Sequence, residues 1–548
     1  MPGRPGKIAF FEQLAADGIG YMFGNPGTVE QGFLDAGAAF DTEYVLALHE
    51  GVAVGMADGY ARATQRPALV QLHTGVGLGN GVGLLYQALR GGSPLVVVAG
   101  EAGIRYDAMD GQMAVDLVEM ARPVTKFAAR VVHPSSLLRT LRKAVKIAMT
   151  PPRGPVLVVL PADVMDEITT EPVVPTSVPS TRVLPEPGLV TEAATRLLAG
   201  HNRLILMGDG IAASGAQREL AEVAERLNAP VWGVNHSEFN FDPTHPLWGG
   251  QLGHMFGADS ARVVEEADSV LIVGTYVFPE VFPRLDSPFK PGARIVHIDL
   301  DAYEIAKNFP VDVGLVADPR LTLAALAGEL DRRGAGTVPA RAGASENFPE
   351  GARPRPVTPL REEDVPHTVL DRFVYHLARQ APADLVLFDE ALTASGPLAR
   401  HLPPRLPGHF FQTRGGSLGV GIPGAMGVKL ARPDLPVVGF TGDGGSMYTI
   451  QALWTAARYG IAAKFVICNN RRYRLLDLNI EQYWREQGIG THPHPASFDL
   501  SFPDISFSGL AGSLGVAAHR VEKAEEAEDA VARMLAHEGP YLIDLVID

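Results

Sequence analysis

The stretch PVVGFTGDGGSMYTIQALWTAARYGIAAKFVICNN, residues 436–470, decides the fold. Its pattern predicts a strand that ends in GDGG (442–445), a helix that ends at Gly460, and a second strand. Two strands that are joined by a short crossover helix lie parallel. We therefore expect Asp443 and the Asn469–Asn470 pair to emerge at the same edge of a sheet.

These polar residues suit a hard cation. The Asp443 carboxylate and the Asn470 amide oxygen are ligands that Mg²⁺ accepts, and phosphates, a backbone carbonyl and water would complete its octahedron. The glycines let the backbone approach a phosphate, while the N-terminus of the following helix directs N–H groups at it. A second GDG, residues 208–210, has no paired asparagines at a comparable distance. We interpret that copy as a strand–helix turn.

Toward the N-terminus, four predicted strands each end at a polar residue. These residues are Thr28, Glu50, His73 and Glu101. The carboxyl ends of the strands line the ligand crevice of a doubly wound sheet, so we expect the four side chains to converge. A single glutamate at such a junction is more often a helix cap, and that alternative stays open for each residue taken alone.

The domain organisation is predicted from the alternation of strand and helix patterns and from two linker-like stretches. Short β-branched runs alternate with helical patterns along all 548 residues, which predicts parallel sheets of the α/β class. Two stretches rich in Pro, Ser and Thr, residues 163–190 and 333–365, are interpreted as linkers. They separate three predicted doubly wound domains: 1–165, 185–335 and 365–548.

Composition excludes several classes of protein. The chain has 47 Lys+Arg against 62 Asp+Glu, a formal charge of -15, which disfavours nucleic-acid binding. The single cysteine, Cys468, rules out intrachain disulfides and a cysteine metal cluster. No apolar run approaches the length of a membrane span, and no signal peptide is evident. We expect a cytoplasmic protein without membrane segments.

The motifs of the chain, taken together, resemble those of a known family. GDG, then 24 residues, then NN is the thiamine diphosphate signature, and the chain resembles the thiamine diphosphate-dependent decarboxylase and acetolactate synthase superfamily over nearly its whole length. The resemblance is strongest to benzoylformate decarboxylases. The segments that carry it are FGNPGT (23–28), LHEGVAVGMADGYARA (48–63), LHTGVGLGN (72–80) and GDGGSMYTIQALWTAA (442–457).

The resemblance assigns a part to each predicted domain. It implies that residues 1–165 form the pyrimidine-binding (PYR) domain and residues 365–548 the diphosphate- and Mg²⁺-binding (PP) domain. Residues 185–335 would form a Rossmann-like central domain, which we interpret as structural because it lacks a G-x-G-x-x-G pattern. The implied cofactors are thiamine diphosphate and Mg²⁺. In this family the PYR and PP domains of one chain serve different sites, which implies a homodimer or a homotetramer.

Site residues are implied in the same way. The metal ligands would be Asp443, Asn470 and the backbone carbonyl of Arg472. Glu50 would exchange a proton with the pyrimidine ring, His73 would act as a general acid–base, and Thr28 would contact the substrate carboxylate. The other implied cofactor contacts are Pro26, Asn80, Thr393, Gly416, Leu418, Gly442, Gly444, Gly445, Ser446 and Tyr473, with Leu418 as the apolar wedge that holds the cofactor bent.

Three functional hypotheses remain. The first is a carboxy-lyase that decarboxylates a 2-keto acid, and the second is a carboligase or aldehyde lyase that joins or breaks carbonyl compounds. Two departures from the family pattern bear on this choice: Val281 stands where the relatives have a second histidine, and Asn479, near Leu476, is polar where benzoylformate decarboxylases are aromatic. The third hypothesis, a noncatalytic binding scaffold, is disfavoured by Glu50.

Overall fold

Three six-stranded sheets organise the protein. The computed structural model describes residues 3–109, 111–253, 255–335, 348 and 350–547. The chain forms two compact units: one comprises Met1–Pro179, Arg361–Leu402 and Thr413–Asp548, and the other comprises Ser180–Leu360 and Pro403–Gln412. The first unit contains one whole sheet and five strands of another, and the second unit contains the remaining sheet and residues 410–412, which form the sixth strand.

The N-terminal sheet has the order β3-β2-β4-β5-β7-β6, and its strand pairs are parallel. Its strands are β1 (Arg4–Pro5), β2 (Tyr21–Gly24), β3 (Glu43–Leu46), β4 (Ala68–His73), β5 (Leu95–Glu101), β6 (Phe127–Arg130), β7 (Val156–Pro161) and β8 (Ile168–Thr169), of which β1 and β8 form a separate antiparallel pair. Its helices are α1 (Gly6–Ala16), α2 (Gln31–Gly37), α3 (Glu50–Thr64), α4 (Thr74–Gly91), α5 (Leu117–Ala121), α6 (Leu137–Met149) and α7 (Ala162–Asp166).

Helices cover both faces of this sheet. On one face, α1 and α6 bury apolar residues at helical spacing, Leu137, Leu141 and Ala144 among them, against alternate residues of β5 such as Val96 and Val98. On the other face, α3 and α4 contact β4 and β5. A sheet that is buried on both faces explains why β5 and β7 are continuous apolar runs.

The central sheet has the order β11-β10-β9-β12-β13-β14 and only parallel pairs. Its strands are β9 (Arg203–Met207), β10 (Val231–Gly233), β11 (Trp248–Gln251), β12 (Ser269–Val273), β13 (Arg294–Asp299) and β14 (Val313–Val316). Its helices are α8 (Pro187–Leu198), α9 (Gly210–Ser214), α10 (Gln217–Leu227), α11 (Gly257–Val264) and α12 (Pro319–Arg332).

The C-terminal sheet has the order β16-β15-β17-β18-β20-β19. Its strands are β15 (Val386–Glu390), β16 (Phe410–Gln412), β17 (Val437–Gly442), β18 (Lys464–Asn469), β19 (Ala517–Val521) and β20 (Tyr541–Val546). Its helices are α13 (Val369–Gln380), α14 (Ser395–His401), α15 (Gly421–Ala431), α16 (Asp443–Ser446), α17 (Ala452–Tyr459), α18 (Arg474–Gln487), α19 (Phe507–Ser513) and α20 (Ala527–Ala536). The predicted α/β fold with three parallel-sheet domains is confirmed, whereas the predicted domain boundaries stay a prediction.

Two local predictions are wrong. The predicted linker 163–190 is too long at both ends: α7 and β8 occupy residues 163–166 and 168–169, β8 pairs with β1, and α8 occupies residues 187–190. The single helix predicted after GDGG is two short helices, α16 and α17, separated by a turn over residues 447–451. Gly460 does end α17, in the left-handed conformation with φ of 61°. Part of the second predicted linker, residues 336–347 and 349, lies outside the described residues.

Two helices bring the N-terminal and C-terminal sheets of the first unit into contact. Helix α3 packs along α15, and a Cβ atom at Gly59 would collide with the backbone of Gly424. A Cβ atom at Gly427 would collide likewise with the backbone of Met56. The helices therefore touch backbone to backbone, and this contact fixes the positions of Glu50, which opens α3, and Gly421, which opens α15.

Candidate active site

Glu50 receives hydrogen bonds from two neighbouring segments. It opens α3 directly after the β3 connection, and only 6% of it is exposed. Its Oε1 accepts from Asn25 Nδ2 at 3.2 Å and its Oε2 accepts from Asn80 Nδ2 at 3.0 Å. Asn25 follows β2 and Asn80 lies on α4. Three strand–helix connections thus meet at one buried carboxylate, and Asn25 is a member that the sequence analysis missed.

His73, the last residue of β4, is paired with a second buried carboxylate. Its Nδ1 lies 2.8 Å from Glu30 Oε2, which also accepts the N–H of Gly27 at 3.1 Å. Burial raises the pKa of Glu30, and its hydrogen bond to His73 opposes that rise. This contact occupies Nδ1 and leaves Nε2 as the ring nitrogen that is available to other groups. Glu30 was also missed, although it follows the quoted FGNPGT motif by only two residues.

Two glycines make room for this arrangement. A Cβ atom on Gly27 would collide with the His73 ring. A Cβ atom on Gly77, in the first turn of α4, would lie 3.1 Å from Glu50 Oε1 and 3.4 Å from His73 Cβ. Gly77 therefore lies between the two predicted catalytic side chains, which places Glu50 and His73 next to each other.

The remaining strand ends lie differently. Thr28 does not end a strand, because β2 ends at Gly24 and Thr28 opens a short 3₁₀ helix (Thr28–Glu30) four residues later. Both Thr28 and the nearby Pro26, a predicted cofactor contact, are exposed. Glu101 is held by Arg130, whose Nε donates to its Oε1 at 2.5 Å and whose guanidinium also binds Asp107 at 2.6 and 2.7 Å. Glu101 nevertheless lies at the sheet edge that carries His73, since His73 pairs with Gly100, and it lines a cavity of about 350 Å³ together with Val29 and Thr74. The convergence of the four side chains stays a prediction.

In the C-terminal sheet, Asp443 and Asn470 lie together as the spacing predicts. Strands β17 and β18 pair with Gly442 opposite Cys468, so the residues that follow each strand share one edge. Burial raises the pKa of Asp443, while backbone N–H groups of Gly444 and of the turn at residues 470–472 lower it. The Asp443 carboxyl therefore borders that turn, in which Asn470 Oδ1 accepts the N–H of Arg472 at 3.0 Å.

One oxygen of the Asp443 carboxylate is available for a ligand. Its Oδ1 accepts the N–H of Gly444 at 2.7 Å, but its Oδ2 is buried and has no hydrogen-bond partner among the described residues. The second GDG is the reverse case: the Asp209 carboxylate accepts from the Ser237 N–H and hydroxyl, the Glu238 N–H and the Asn240 amide. A turn carboxylate with four donors is structural, whereas an orphaned buried oxygen is where a cation would bind.

The two asparagines of the NN pair have different surroundings. Asn469 is buried and donates from Nδ2 to Asp544 Oδ1 at 3.0 Å, so it belongs to the core. Asn470 is half-buried and lines a cavity of about 310 Å³ together with Thr393 and Arg474. The cavity brings two predicted cofactor contacts, Thr393 and Asn470, to one surface.

Other predicted contacts surround the same edge. The Tyr473 ring packs where a Cβ atom of Gly444 would be, and the Ser446 hydroxyl donates to the Asp443 carbonyl at 2.7 Å. Nothing lies within 4 Å of a Cβ atom built on Gly442 or on Gly416, whose φ is +74°. Open space therefore adjoins both glycines, and the buried Gly445 and the half-buried Leu418 complete the predicted set.

The donor set fits a divalent cation with a diphosphate. No group of three His, Cys, Asp or Glu side chains that could hold a metal occurs within residues 3–547 as far as they are described. A site here would instead combine one carboxylate oxygen, one amide oxygen and a backbone carbonyl, which is a Mg²⁺-type set once phosphate oxygens join it. The orphaned Oδ2 of Asp443 and the space beside Gly442 meet that requirement.

Comparison with known proteins identifies the class. Residues 5–120, 190–326 and 393–545 match the N-terminal TPP binding domain, the central domain and the C-terminal TPP binding domain of the thiamine pyrophosphate enzymes. Thiamine pyrophosphate is another name for thiamine diphosphate. The chain belongs to the thiamine diphosphate-dependent enzyme family, and its resemblance to the decarboxylase and acetolactate synthase superfamily is confirmed.

Individual relatives include both benzoylformate decarboxylases and acetolactate synthases. The chain is 33% identical to benzoylformate decarboxylase of Pseudomonas aeruginosa, over 98% of each chain, and 29% identical to acetolactate synthase of Arthrospira platensis, over 98% of this chain and 93% of that one. It is similar in structure to the 4-hydroxybenzoylformate decarboxylase of Rhodococcus jostii, with a TM-score of 0.86, 29% identity and coverage of 100% and 99%. No helix within the described residues is both long and apolar enough to cross a membrane.

Proposed function

We propose that this enzyme decarboxylates a 2-keto acid without oxidation and releases an aldehyde. The observation that carries the proposal is the juxtaposition of a buried carboxylate, Glu50, with a histidine–carboxylate pair, His73 and Glu30. One supplies proton exchange at the cofactor ring, and the other supplies a proton to the product. Benzoylformate decarboxylase of Pseudomonas aeruginosa, 33% identical, supports the same reaction class.

Cofactor binding would use the N-terminal sheet of one chain and the C-terminal sheet of a second copy, because the resemblance implies that the PYR and PP domains of one chain serve different sites. When bound, thiamine diphosphate supplies the nucleophilic carbon and the electron sink for decarboxylation. Asp443, Asn470 and the Arg472 carbonyl would hold Mg²⁺. The diphosphate would contact Thr393 and the backbone at Gly442, Gly444, Gly445 and Ser446, while Pro26, Gly416, Leu418 and Tyr473 would hold the rest of the cofactor. Glu50 would share a proton with the pyrimidine ring, and Asn80 and Asn25 hold its two oxygens in place for that contact.

His73 would control the fate of the decarboxylated substrate. Glu30 fixes the ring by its Nδ1, so Nε2 is the atom that can give or take a proton at the substrate. Thr28, on the turn that carries Glu30, would contact the substrate carboxylate. Proton delivery yields free aldehyde, whereas delayed delivery leaves time for a second carbonyl compound to react.

The second candidate function is therefore carboligation. The observation in its favour is Val281, which is 60% exposed and offers no proton-transfer group where the relatives have a second histidine. Acetolactate synthase of Arthrospira platensis, 29% identical over 98% of this chain, belongs to that reaction type by name. The substrate side chain is a further proposal: Leu476 and the half-buried Asn479 on α18 favour a 2-keto acid that is not a plain phenyl compound.

One assay separates these functions. The purified enzyme with thiamine diphosphate and Mg²⁺ is given a panel of aliphatic, aromatic and hydroxylated 2-keto acids, each with and without an acceptor aldehyde, and CO₂, aldehyde and hydroxy ketone are measured. CO₂ with stoichiometric free aldehyde supports the first function. Hydroxy ketone as the main product supports the second. Absence of both, in a protein that binds the cofactor, contradicts both.

We also propose that the enzyme works as a homodimer or homotetramer in the cytoplasm. Apolar side chains next to both halves of the site are exposed in the single chain: Leu48 and Val76 near Glu50, and Met447 and Tyr448 after Ser446. A second copy that covers them would complete the site and remove apolar surface from water. The buried free thiol of Cys468 is compatible with a reducing compartment.

A further inference from the structure

Another carboxylate in the first unit, that of Glu390, is fully buried and takes no part in the chemistry described so far. Glu390 is the last residue of β15, and 1% of it is exposed. It lies between the turn that carries Thr393, the loop that carries Leu418, and the end of β17 that leads to Asp443. The surrounding sequence, DEALTAS (389–395), does not indicate that Glu390 is buried.

Four donors surround the Glu390 carboxylate. Its Oε1 accepts the N–H groups of Gly419 at 2.6 Å and Val420 at 3.1 Å. Its Oε2 accepts the N–H of Gly421 at 2.6 Å and the hydroxyl of Thr441 at 3.1 Å. Four donors need four acceptor lone pairs, which the two oxygens of a carboxylate provide. A carboxamide has only one oxygen and therefore cannot accept all four hydrogen bonds.

The partners explain how a charge can be buried there. Three of the donors are consecutive N–H groups at the start of α15, where a helix favours a negative charge. All four donors are neutral, and no ion pair to Glu390 occurs among the described residues. Burial raises the pKa of Glu390 to about 7, against the opposing effect of these hydrogen bonds. A buried carboxylate without a cation is expensive in stability, which argues for a role other than stability.

The bonds leave the neighbouring backbone little freedom. Gly419 has φ of +99°, and its carbonyl accepts the Thr449 hydroxyl at 2.6 Å, so the residue after Leu418 is held on both sides. A Cβ atom on Gly421 would lie 2.7 Å from Glu390 Oε2. Thr441 is two residues from Asp443. One side chain therefore joins the loop of the predicted wedge to the turn of the predicted metal ligand.

We propose that Glu390 is a positioning residue that sets Leu418 and the Gly442–Asp443 turn at the spacing that the bent cofactor requires. This proposal rests on the proposed function, because the roles of Leu418 and Asp443 come from it. Glu390 touches neither cofactor nor substrate. It acts through the backbone of residues 419–421 and through Thr441.

The test compares Glu390→Gln with a matched control in the other unit. Asp209→Asn also replaces a carboxylate that accepts backbone N–H groups after a strand, but far along the chain from any predicted cofactor contact. For each protein we measure the melting temperature, the thiamine diphosphate dissociation constant by calorimetry in the presence of Mg²⁺, and amide hydrogen exchange over residues 415–422.

Glu390→Gln should weaken thiamine diphosphate binding by about tenfold or more, the effect of losing one to two charge-assisted hydrogen bonds. It should also accelerate exchange at residues 415–422. Asp209→Asn should lower the melting temperature without changing either readout. If Glu390→Gln behaves like Asp209→Asn, with unchanged cofactor affinity and exchange, Glu390 is merely structural and the proposal is overturned.

Two provisions keep the result decisive. If Glu390→Gln does not fold, Thr441→Val removes one of the four donors and should give a smaller change in the same direction, whereas no change refutes the proposal. If the unaltered protein fails to bind thiamine diphosphate, the proposed function fails, and exchange at residues 415–422 in the cofactor-free proteins still tests the anchoring by Glu390. The two failures are therefore distinguishable.

Discussion

Replacement of Glu50 by glutamine tests the centre of the proposed mechanism. The shape of the side chain is kept, but the group can no longer exchange a proton at the cofactor ring. Both Glu50 oxygens accept amide N–H groups, at 3.2 and 3.0 Å. In Glu50→Gln one of these acceptors becomes an NH₂ group, so one hydrogen bond is lost at a cost of about 1 kcal/mol.

The expected result is a large kinetic effect on a nearly intact protein. Turnover should fall by about 10² to 10⁴, the usual contribution of a positioned acid–base group. The melting temperature should fall by only about 2–4 °C, as expected for about 1 kcal/mol in domains of this size. CO₂ release at saturating 2-keto acid gives the first quantity, differential scanning fluorimetry the second, and calorimetry with thiamine diphosphate shows that binding survives.

The matched control is Glu101→Gln. Glu101 also ends a strand of the same sheet, but Arg130 holds it, and it lacks the contact with Asn25 and Asn80. Its variant should keep turnover within about twofold of the parent, since surface and edge ion pairs contribute little. Turnover of Glu50→Gln close to that of the parent, with cofactor bound, would refute the assignment of Glu50.

Four further outcomes are expected. Asp443→Asn should weaken Mg²⁺-dependent cofactor binding by about 10² or more, because it removes the charged oxygen that faces the predicted cation. The cofactor-free protein should be as stable or slightly more stable, because the variant also removes a buried charge; calorimetry and melting curves check this, and unchanged affinity contradicts it. Glu30→Gln should lower turnover by about 10 to 10² with little change in KM, since it keeps the shape but not the charge beside His73; steady-state kinetics decide, and an effect on KM alone contradicts it. Burial raises the pKa of Glu390 from 4.5 to about 7, so between these pH values the folded protein holds a proton that the unfolded chain releases. The free energy of unfolding should therefore fall as pH rises from 4.5 to 7, and the fall should be smaller in Glu390→Gln. Melting temperatures of the two proteins that run parallel over this pH range would contradict the prediction. Val76→Asp places a charge on exposed apolar surface beside the site, where a second copy would bury it. In sedimentation velocity the variant should shift toward the mass of a single chain, without a large change in melting temperature. An unchanged distribution of sedimentation coefficients would exclude this face from the interface between copies.

Sequence spacing predicted the parts of the site that follow from local topology. Adjacent parallel strands must bring their ends to one edge, which is why Asp443 and Asn470 lie together. His73 does end β4, whereas β3 ends at Leu46 and Glu50 opens α3 four residues later. The pattern of glycines likewise pointed to close approach, since Gly27 and Gly77 leave room for side chains of the site.

The contacts that escaped prediction depend on tertiary structure. Glu30 is 43 residues from His73 along the chain, and Asn25 is 25 residues from Glu50, so no local pattern links them. Glu390 would be expected at the surface from its residue type, and only the start of α15 supplies the donors that let it be buried. The break between α16 and α17 has the same origin, because apolar spacing alone cannot show where a helix is interrupted.

The backbone contact between α3 and α15 has a mechanical consequence. Glycines at 59, 424 and 427 leave no side-chain layer that could slide or compress between the helices. Helices α3 and α15 consequently cannot slide past each other at these positions without a collision between backbone atoms. A larger side chain at Gly59 or Gly427 would have to force the two helices apart, so directed evolution for larger substrates should leave these glycines untouched and vary the loops.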